Sequence, residues 1–118
     1  SSDLVSHILI LRPDTALFFA NAERVLAQIR NYITAAGDTV HTLIISLEES
    51  PDLDSSSVEA LTEFCTALIS EDKHLLFARL KPPVQQVLVR AAIPGLPIET
   101  LCALSVDDAV NVAQRLYP

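Results

Sequence analysis

The sequence lacks methionine and tryptophan, and it holds few glycines, cysteines, aromatic residues and basic residues. Its 118 residues include two Gly, two Cys and 5% aromatic residues, and 8 Lys and Arg stand against 15 Asp and Glu. The net charge of −7 disfavours nucleic acid as a partner, because the phosphate backbone binds basic surfaces. The longest apolar runs have four or five residues, whereas a membrane-spanning helix needs about 20. We therefore expect no segment of this chain to cross a bilayer.

The two cysteines and the first residues indicate where the chain belongs. Cys65 and Cys102 lie far apart, so they form no short metal-binding pair, and two thiols are too few for a disulfide scaffold. We expect both thiols to be reduced and buried. No charged and apolar leader marks a signal peptide. Since natural chains begin with Met and this one begins with Ser1, we expect it to be a piece of a longer protein.

The chain is rich in apolar residues, whose spacing predicts an α/β domain. Hydrophobic residues make up 50% of a 12.8 kDa chain with a mean hydropathy of +0.37, which suits one domain with one core. A short turn at 12–15 makes the first two strands an antiparallel hairpin, and later strands alternate with helices and should be parallel. The prediction is a mixed sheet of four or five strands with about four helices. Its strands are 7–11, 17–19, 42–47, 75–80 and a short last one at 101–104, and its helices follow Asn21, Asp54, Lys81 and Ser105.

The segment 48–57, EESPDLDSSS, follows a predicted strand and enters a predicted helix. Sites in parallel α/β sheets gather at the carboxyl ends of strands, so this segment is the first candidate. One interpretation is helix capping by Asp54 or by Ser56, the latter in a capping box with Glu59. A second is phosphorylation of a serine at the helix start. A third is a divalent cation held by carboxylates, although the acids lack EF-hand spacing.

Other polar residues at strand ends give weaker signals. Arg79 and Lys81 lie at the end of a predicted strand and either pair with carboxylates of the acidic segment or hold an anion. His7, His41 and His74 each precede a strand, and we expect ordinary loop residues because their spacing does not favour a zinc site. The sequence contains no nucleophile elbow and no phosphate-binding loop. We therefore predict no catalytic residue, no metal site and no cofactor.

Four segments resemble one known family. They are LFFANAER at 17–24, DLDSSSVEAL at 52–61, HLLFARLKPPVQQVLVRAAI at 74–93 and SVDDA at 105–109. Together they are similar to the STAS domain of SulP-family sulfate permeases over nearly the whole chain. The resemblance implies a STAS fold in one domain, 1–118 with a core of 3–116, cut from a longer membrane protein. LFFANAER is the most specific segment, because stand-alone STAS proteins usually lack it.

The resemblance also implies a role and a set of partners. It implies a non-catalytic domain on the cytoplasmic face of the inner or plasma membrane, carboxy-terminal to the membrane part of a secondary transporter for sulfate, bicarbonate or a related anion. Its roles would be regulation, trafficking and dimer contact. The partners implied are the transmembrane domain of the same transporter, a second copy, a cytosolic regulatory protein or a nucleotide.

Bacterial anti-sigma factor antagonists belong to the same wider family and offer the alternative function. Their D-S-S-G loop is phosphorylated on the serine after the aspartate, and Asp54-Ser55 matches that pair. The resemblance thus makes Ser55 the candidate phosphorylation site in a regulatory loop with Asp54, Ser56 and Ser57. Ser57 stands where the antagonists have glycine, which favours the permease. A stand-alone serine phosphoswitch is the alternative, and the full reading frame would decide. A phospho-acceptor receiver is disfavoured, because it needs an acidic pair after its first strand.

Overall fold

A four-stranded mixed sheet organises the chain, in the order β1-β2-β3-β4. The computed structural model describes residues 2–102 and 104–118. Its strands are β1 Ser2–Val5, β2 Ile8–Leu11, β3 Thr42–Ser46 and β4 His74–Ala78. Its helices are α1 Ala22–Ala36, α2 Ser55–Ser70, α3 Pro82–Ala91 and α4 Val106–Leu116, with a 3-10 helix at Ile98–Leu101. The predicted class, a mixed α/β domain with four helices, is confirmed.

The pairing of the strands places three loops at one edge of the sheet. β1 pairs antiparallel with β2, whereas β2, β3 and β4 are parallel to one another. The register aligns Ile8 with Thr42 and Thr42 with His74. The carboxyl ends of β2, β3 and β4 therefore meet at the same edge, which we call the carboxyl edge. Their amino ends meet at the opposite edge, the amino edge.

Alternation along the strands divides the core into two layers, because successive side chains point to opposite faces. One face packs against α1, α2 and α3, and its strand residues are Leu9, Leu11, Leu43, Ile45, Leu75 and Phe77. The other face packs against α4 through Ala109 and Ala113, and its strand residues are Ile8, Ile10, Ile44, Leu76 and Ala78. The buried helical residues of this second layer are two alanines, and partly buried residues of α4, Val106, Val110 and Val112, also pack against it.

The opening hairpin was predicted with the wrong partner strand. The antiparallel partner of Ile8–Leu11 is Ser2–Val5, and residues 17–19 are not a strand. The amides of Leu17, Phe18 and Phe19 instead donate to side-chain oxygens, so none of them is available to a ladder. The sequence hides β1 because all four of its residues are exposed and show no apolar alternation. The connection is tight, with Ser6 at φ 52.

The predicted last strand at 101–104 is also wrong where the structure describes it. Leu101 ends the 3-10 helix and Cys102 is an exposed bend, while Ala103 lies outside the described residues. The Leu104 carbonyl accepts a hydrogen bond from the Arg79 amide at 2.7 Å. This one contact, just after β4, does not make Leu104 part of a strand. The expectation of two buried thiols is likewise half wrong, since Cys65 is buried and Cys102 is exposed.

Local residue chemistry determines several helix ends. Gly37 ends α1 with φ 88, a backbone conformation that side chains with a Cβ rarely adopt. Ser105 and Asp108 form a capping box at the start of α4, which is the helix predicted to follow Ser105. Asn21 precedes α1 but does not cap it through its side chain, which instead accepts from Phe18 and donates to the Ala16 carbonyl, both at 2.9 Å. The side chain of Asn21 thus shapes the turn before α1.

Candidate functional site

Asp54 lies at the centre of the loop between β3 and α2. Its Oδ1 accepts a hydrogen bond from the Ser57 amide at 2.7 Å and caps α2. Its Oδ2 accepts from the Phe19 amide at 2.8 Å. Hydrogen bonding from Ser57, first of all from its amide, lowers the pKa of Asp54, and the Phe19 amide acts in the same direction while burial opposes them. Asp54 is therefore a carboxylate at neutral pH, bound to two separate segments.

The capping interpretation is confirmed for Asp54 and wrong for Ser56. Ser56 is the second residue of α2, one position inside the helix, so it cannot be the cap and forms no capping box with Glu59. The cap residue needs an extended backbone, and Asp54 provides it with φ −76 and ψ 167. A capped helix start can still present a hydroxyl to a kinase.

The three consecutive serines differ in accessibility. Ser55 and Ser56 are exposed in the first turn of α2, whereas Ser57 is fully buried. The Ser57 hydroxyl lies beside the Asp54 carboxylate and helps to lower its pKa, but it does not meet the geometry of a hydrogen bond to any described residue. A modifying enzyme can reach the hydroxyls of Ser55 and Ser56 but not that of Ser57.

Phe18 and Phe19 form an exposed aromatic pair beside Asp54, where the sequence pattern predicted a strand. Their rings meet edge to face with centroids 5.8 Å apart, and their exposed fractions are 45% and 75%. The preceding residue, Leu17, is buried, and its amide donates to the buried Ser50 hydroxyl at 3.0 Å. The segment is thus bound to the loop after β3 at Leu17 and at Phe19. Its sequence signal was two adjacent phenylalanines before a polar turn.

Arg79 and Lys81 follow β4 at the same edge of the sheet. The Arg79 guanidinium lies 3.4 Å from a Glu48 carboxylate oxygen, and both side chains are about half exposed at 49% and 59%. Pairing with the acidic segment, the simpler of the two interpretations, is therefore confirmed for Arg79. Lys81 precedes the first residue of α3 and is exposed. The carboxyl edge thus combines acidic side chains, two bases, two accessible serines and an aromatic pair.

The arrangement of the acidic side chains and the character of the helices bear on metal binding and on membrane spanning. Within residues 2–102 and 104–118, no three His, Cys, Asp or Glu side chains are grouped so that they could hold a metal ion. Among these described residues, the acidic loop therefore contains no group of side chains that supports its interpretation as a cation site. In the same ranges, none of the helices combines the length and the apolar character that a bilayer crossing requires.

The fold and the capped, serine-bearing loop at the carboxyl edge define a STAS domain. The family model for the STAS domain matches residues 3–109, and the chain belongs to that family. Among curated proteins it is similar to Sulfate transporter 1.3 of Arabidopsis thaliana, with 29% identity over 112 residues. The match covers 88% of this chain and 17% of the transporter. The chain thus spans about a sixth of the length of such relatives.

The same fold occurs in solved structures both as a small part of a long transporter chain and as nearly the whole of a short chain. The murine Solute Carrier 26 family member A9 anion transporter in the inward-facing state matches with a TM-score of 0.82 and 20% identity, over 96% of this chain and 18% of that chain. The Bacillus cell fate determinant SpoIIAA in its phosphorylated form matches with a TM-score of 0.65 and 16% identity, over 96% and 97% of the two chains. The domain is therefore related to STAS domains of sulfate transporters and also, in fold, to anti-sigma factor antagonists.

Proposed function

We propose that this chain is the cytosolic, carboxy-terminal STAS domain of a SulP-family secondary anion transporter. In this role it catalyses no reaction, and it contacts and regulates the transmembrane domain of the same transporter. The proposal is supported by sequence relatives that are sulfate transporters and by a fold match confined to 18% of an anion transporter. In those relatives the matched domain is a small part of a much longer chain.

The observation that carries the proposal is one surface at the carboxyl edge. We call Phe18, Phe19, Asp54, Ser55 and Ser56 the carboxyl-edge surface. Exposing a phenylalanine ring to 75% leaves apolar area in water, which is unfavourable unless a partner covers it. The amide of Phe19 is nonetheless fixed to Asp54 at 2.8 Å, so the ring is presented on an ordered backbone. An ordered apolar pair beside charged groups favours docking to another protein surface.

A crosslinking experiment in the parent protein tests the proposal. The complete reading frame should contain an apolar, membrane-spanning region before Ser1. A photoreactive phenylalanine analogue replaces Phe19 in that full-length protein, and the crosslinked peptide is identified by mass spectrometry. We expect the crosslink to form with the transmembrane domain.

A matched control uses Tyr32, a similarly exposed aromatic residue at 51% on α1. The analogue at position 32 should give no crosslink to the transmembrane domain. Equal crosslinking from both positions, or a reading frame without a membrane region, would contradict the proposal.

Regulation would act through the same surface. A phosphate on Ser55 would meet the amides and the positive dipole end of α2 and also the Asp54 carboxylate, so its main effect would be on a partner. Arg79 and Lys81 are the candidate contacts for an anion or a nucleotide, which at Arg79 would compete with Glu48 at 3.4 Å. A second copy and a cytosolic regulatory protein are the remaining candidate partners. Transport by a Ser55→Glu parent, compared with Ser55→Ala, tests whether charge at this position regulates.

The second candidate function is a stand-alone anti-sigma factor antagonist that acts as a serine phosphoswitch. It is favoured by Ser55, which is exposed directly after the cap residue Asp54. It is opposed by the buried Ser57 where the resemblance to antagonists expects glycine. A reading frame that begins near Ser1 and a chain that gains one phosphate on Ser55 from its kinase would favour the antagonist over the transporter domain.

A further inference from the structure

A groove runs between α1 and α2 on the surface of the domain, with a volume of about 390 Å³. Each helix contributes four of its lining residues, and we call this set the α1–α2 groove. The set is Glu23, Leu26, Ala27, Arg30, Ala60, Glu63, Phe64 and Ala67. Because each helix contributes positions up to seven residues apart, the groove extends for about 10 Å along the helices, which is close to two helical turns.

The floor of the α1–α2 groove is apolar. Leu26 is a buried core residue, and Phe64 packs against the same core while it stays partly exposed. Ala27 and Ala67 are exposed, and their short side chains leave the space between the two helices open. A ridge of side chains from a third helix fits a space of this kind. The element of secondary structure that suits the groove is therefore an amphipathic helix, with apolar residues at i, i+3, i+4 and i+7.

The rim of the groove carries two acids without a basic partner. Arg30 pairs with Glu71, the C-cap residue of α2, so these two opposite charges offset each other. Glu23 and Glu63 also line the groove, and neither forms an ion pair with a basic side chain within residues 2–102 and 104–118. The positive dipole end of α1 offsets part of the charge of Glu23, whereas Glu63 lies beyond the first turn of α2. The rim is therefore acidic above an apolar floor.

The groove is continuous with the carboxyl-edge surface where the two helices begin. The Phe18 carbonyl accepts a hydrogen bond at 2.9 Å from the amide of Ala22, the first residue of α1. The Phe19 amide binds the Asp54 carboxylate, which also caps α2. The aromatic pair is therefore fixed to the start of both helices that form the groove. A partner that covers the exposed rings is within reach of the apolar floor between α1 and α2.

We propose that the α1–α2 groove binds a basic amphipathic helix, which is a cytosolic segment of the transmembrane domain in the same transporter. The source of the helix rests on the proposed function. Cytosolic segments close to membrane spans are enriched in Lys and Arg. The net charge of −7 attracts such a segment to the domain, and the two unpaired acids of the rim direct it to the groove. A second copy of this chain suits the groove less well, because its net charge has the same sign.

Peptide binding to this chain tests the chemistry of the groove. The probe is a fluorescein-labelled helical peptide of about 18 residues, made of Leu and Lys with all leucines on one face, and fluorescence anisotropy measures its dissociation constant. One control peptide has the same composition in scrambled order, and another has Glu in place of every Lys. We expect both controls to bind at least about tenfold more weakly than the probe. Equal affinities for the ordered and the scrambled peptide would overturn the proposal.

Two matched double variants separate the groove from the net charge of the chain. Glu23→Gln combined with Glu63→Gln removes both acids of the rim, and it should weaken binding of the probe about fivefold. Asp38→Asn combined with Asp107→Asn removes two exposed acids that do not line the groove, so the net charge changes by the same amount. This control should change the affinity by less than about twofold, because distant surface charges are screened by salt. Equal losses in the two variants would refute a site at the groove.

Photocrosslinking in the full-length parent tests the source of the helix. A photoreactive phenylalanine analogue in place of Ala27 should crosslink to a segment of the transmembrane domain that is rich in Lys and Arg, as identified by mass spectrometry. The same analogue in place of Ala35, an exposed alanine of α1 outside the groove, should not.

The outcomes distinguish this proposal from the proposed function. A crosslink from position 27 to a second copy, to a separate protein or to an acidic segment would overturn the proposal, and so would no crosslink at all. If position 19 crosslinks to the transmembrane domain and position 27 does not, the groove proposal alone fails. A reading frame without a membrane region refutes the proposed function and the source of the helix, while the peptide affinities still decide whether the groove binds a basic helix.

Discussion

The backbone amide of Phe19 donates a hydrogen bond to Oδ2 of Asp54 at 2.8 Å, across 35 positions of the chain. Because Oδ1 of the same carboxylate caps α2, one side chain orders both the helix start and the aromatic pair. The capping role and the presentation of Phe19 are therefore coupled. A change at Asp54 should alter stability and partner binding together.

Replacement of Asp54 by alanine tests this coupling. Asp54→Ala leaves the amides of Ser57 and Phe19 without their acceptor, and we expect the thermal unfolding midpoint to fall by about 3–6 °C. Asp54→Asn is the matched control, since asparagine is an equally good cap. Differential scanning calorimetry at neutral pH measures both. Equal midpoints for the alanine variant and the wild type would show that the cap contributes nothing.

The loss of folding stability at acidic pH should also depend on Asp54. Its pKa is lowered from 3.8, so its contribution is complete above that value and is lost as the pH falls through the lower folded-state pKa. Asp54→Asn has no proton to gain and should lose less stability between about pH 5 and about pH 2 than the wild type. Urea unfolding across this range measures the difference. Parallel curves for the two chains would contradict the assignment.

The serines of α2 should tolerate negative charge very differently. Ser55→Glu places an exposed acid at a helix N-terminus, and we expect a free energy of unfolding within about 0.5 kcal/mol of the wild type. Ser57→Glu puts a charge at a fully buried position and should cost at least about 3 kcal/mol. Chemical denaturation of the two purified variants compares these values. Similar losses for both would mean that the first turn of α2 is arranged differently.

Thr100 forms hydrogen bonds to backbone groups of the outer strand β4 through one hydroxyl group. Its Oγ1 donates to the Phe77 carbonyl at 2.7 Å and also accepts from the Phe77 amide. Thr100→Val keeps the shape and leaves two buried backbone groups unpaired, so we expect a loss of about 2–4 kcal/mol in the free energy of unfolding. Thr66→Val, on the exposed side of α2, is the control and should change it by less than about 0.5 kcal/mol. Matching effects would refute the proposed function of the Thr100 hydroxyl.

The two cysteines should react at very different rates. Burial raises the pKa of Cys65 to about 12, so its thiolate is scarce and enclosed in the folded chain. Cys102 is exposed. A chromogenic disulfide reagent at mildly alkaline pH should modify Cys102 quickly. It should modify Cys65 only after denaturant is added. Two fast thiols in the native protein would contradict the packing around Cys65.

Much of the fold was predictable because periodic apolar residues determine it. The helices α1 and α2 bury residues at helical spacing, and β3 is a short apolar run buried on both faces. Ser105 and Asp108 gave the start of α4 by local chemistry alone. These signals lie within a few residues of what they specify, so a sequence contains them in full.

The elements that the sequence did not predict correctly depend on contacts between distant positions of the chain. β1 was missed because it is held by pairing and not by burial of its side chains. Residues 17–19 look like a strand, but their amides bind Ser50, Asn21 and Asp54, two of which are more than 30 positions away. The stack of His74 on Tyr117 likewise joins distant positions. Contacts of this kind are set by the assembled fold, so spacing along the chain cannot reveal them.

The hydroxyl of Thr100 has a consequence for self-association. It occupies the outward amide and carbonyl of Phe77, and the Leu104 carbonyl takes the amide of Arg79, so that flank of the described sheet offers little to an incoming chain. The flank at β1 is exposed, with Leu4 at 56%. A sheet with one blocked and one open outer strand can pair with one neighbour through its open strand. It cannot add further neighbours on the blocked side. Association by sheet extension would therefore stop at a pair and would not grow into a fibre.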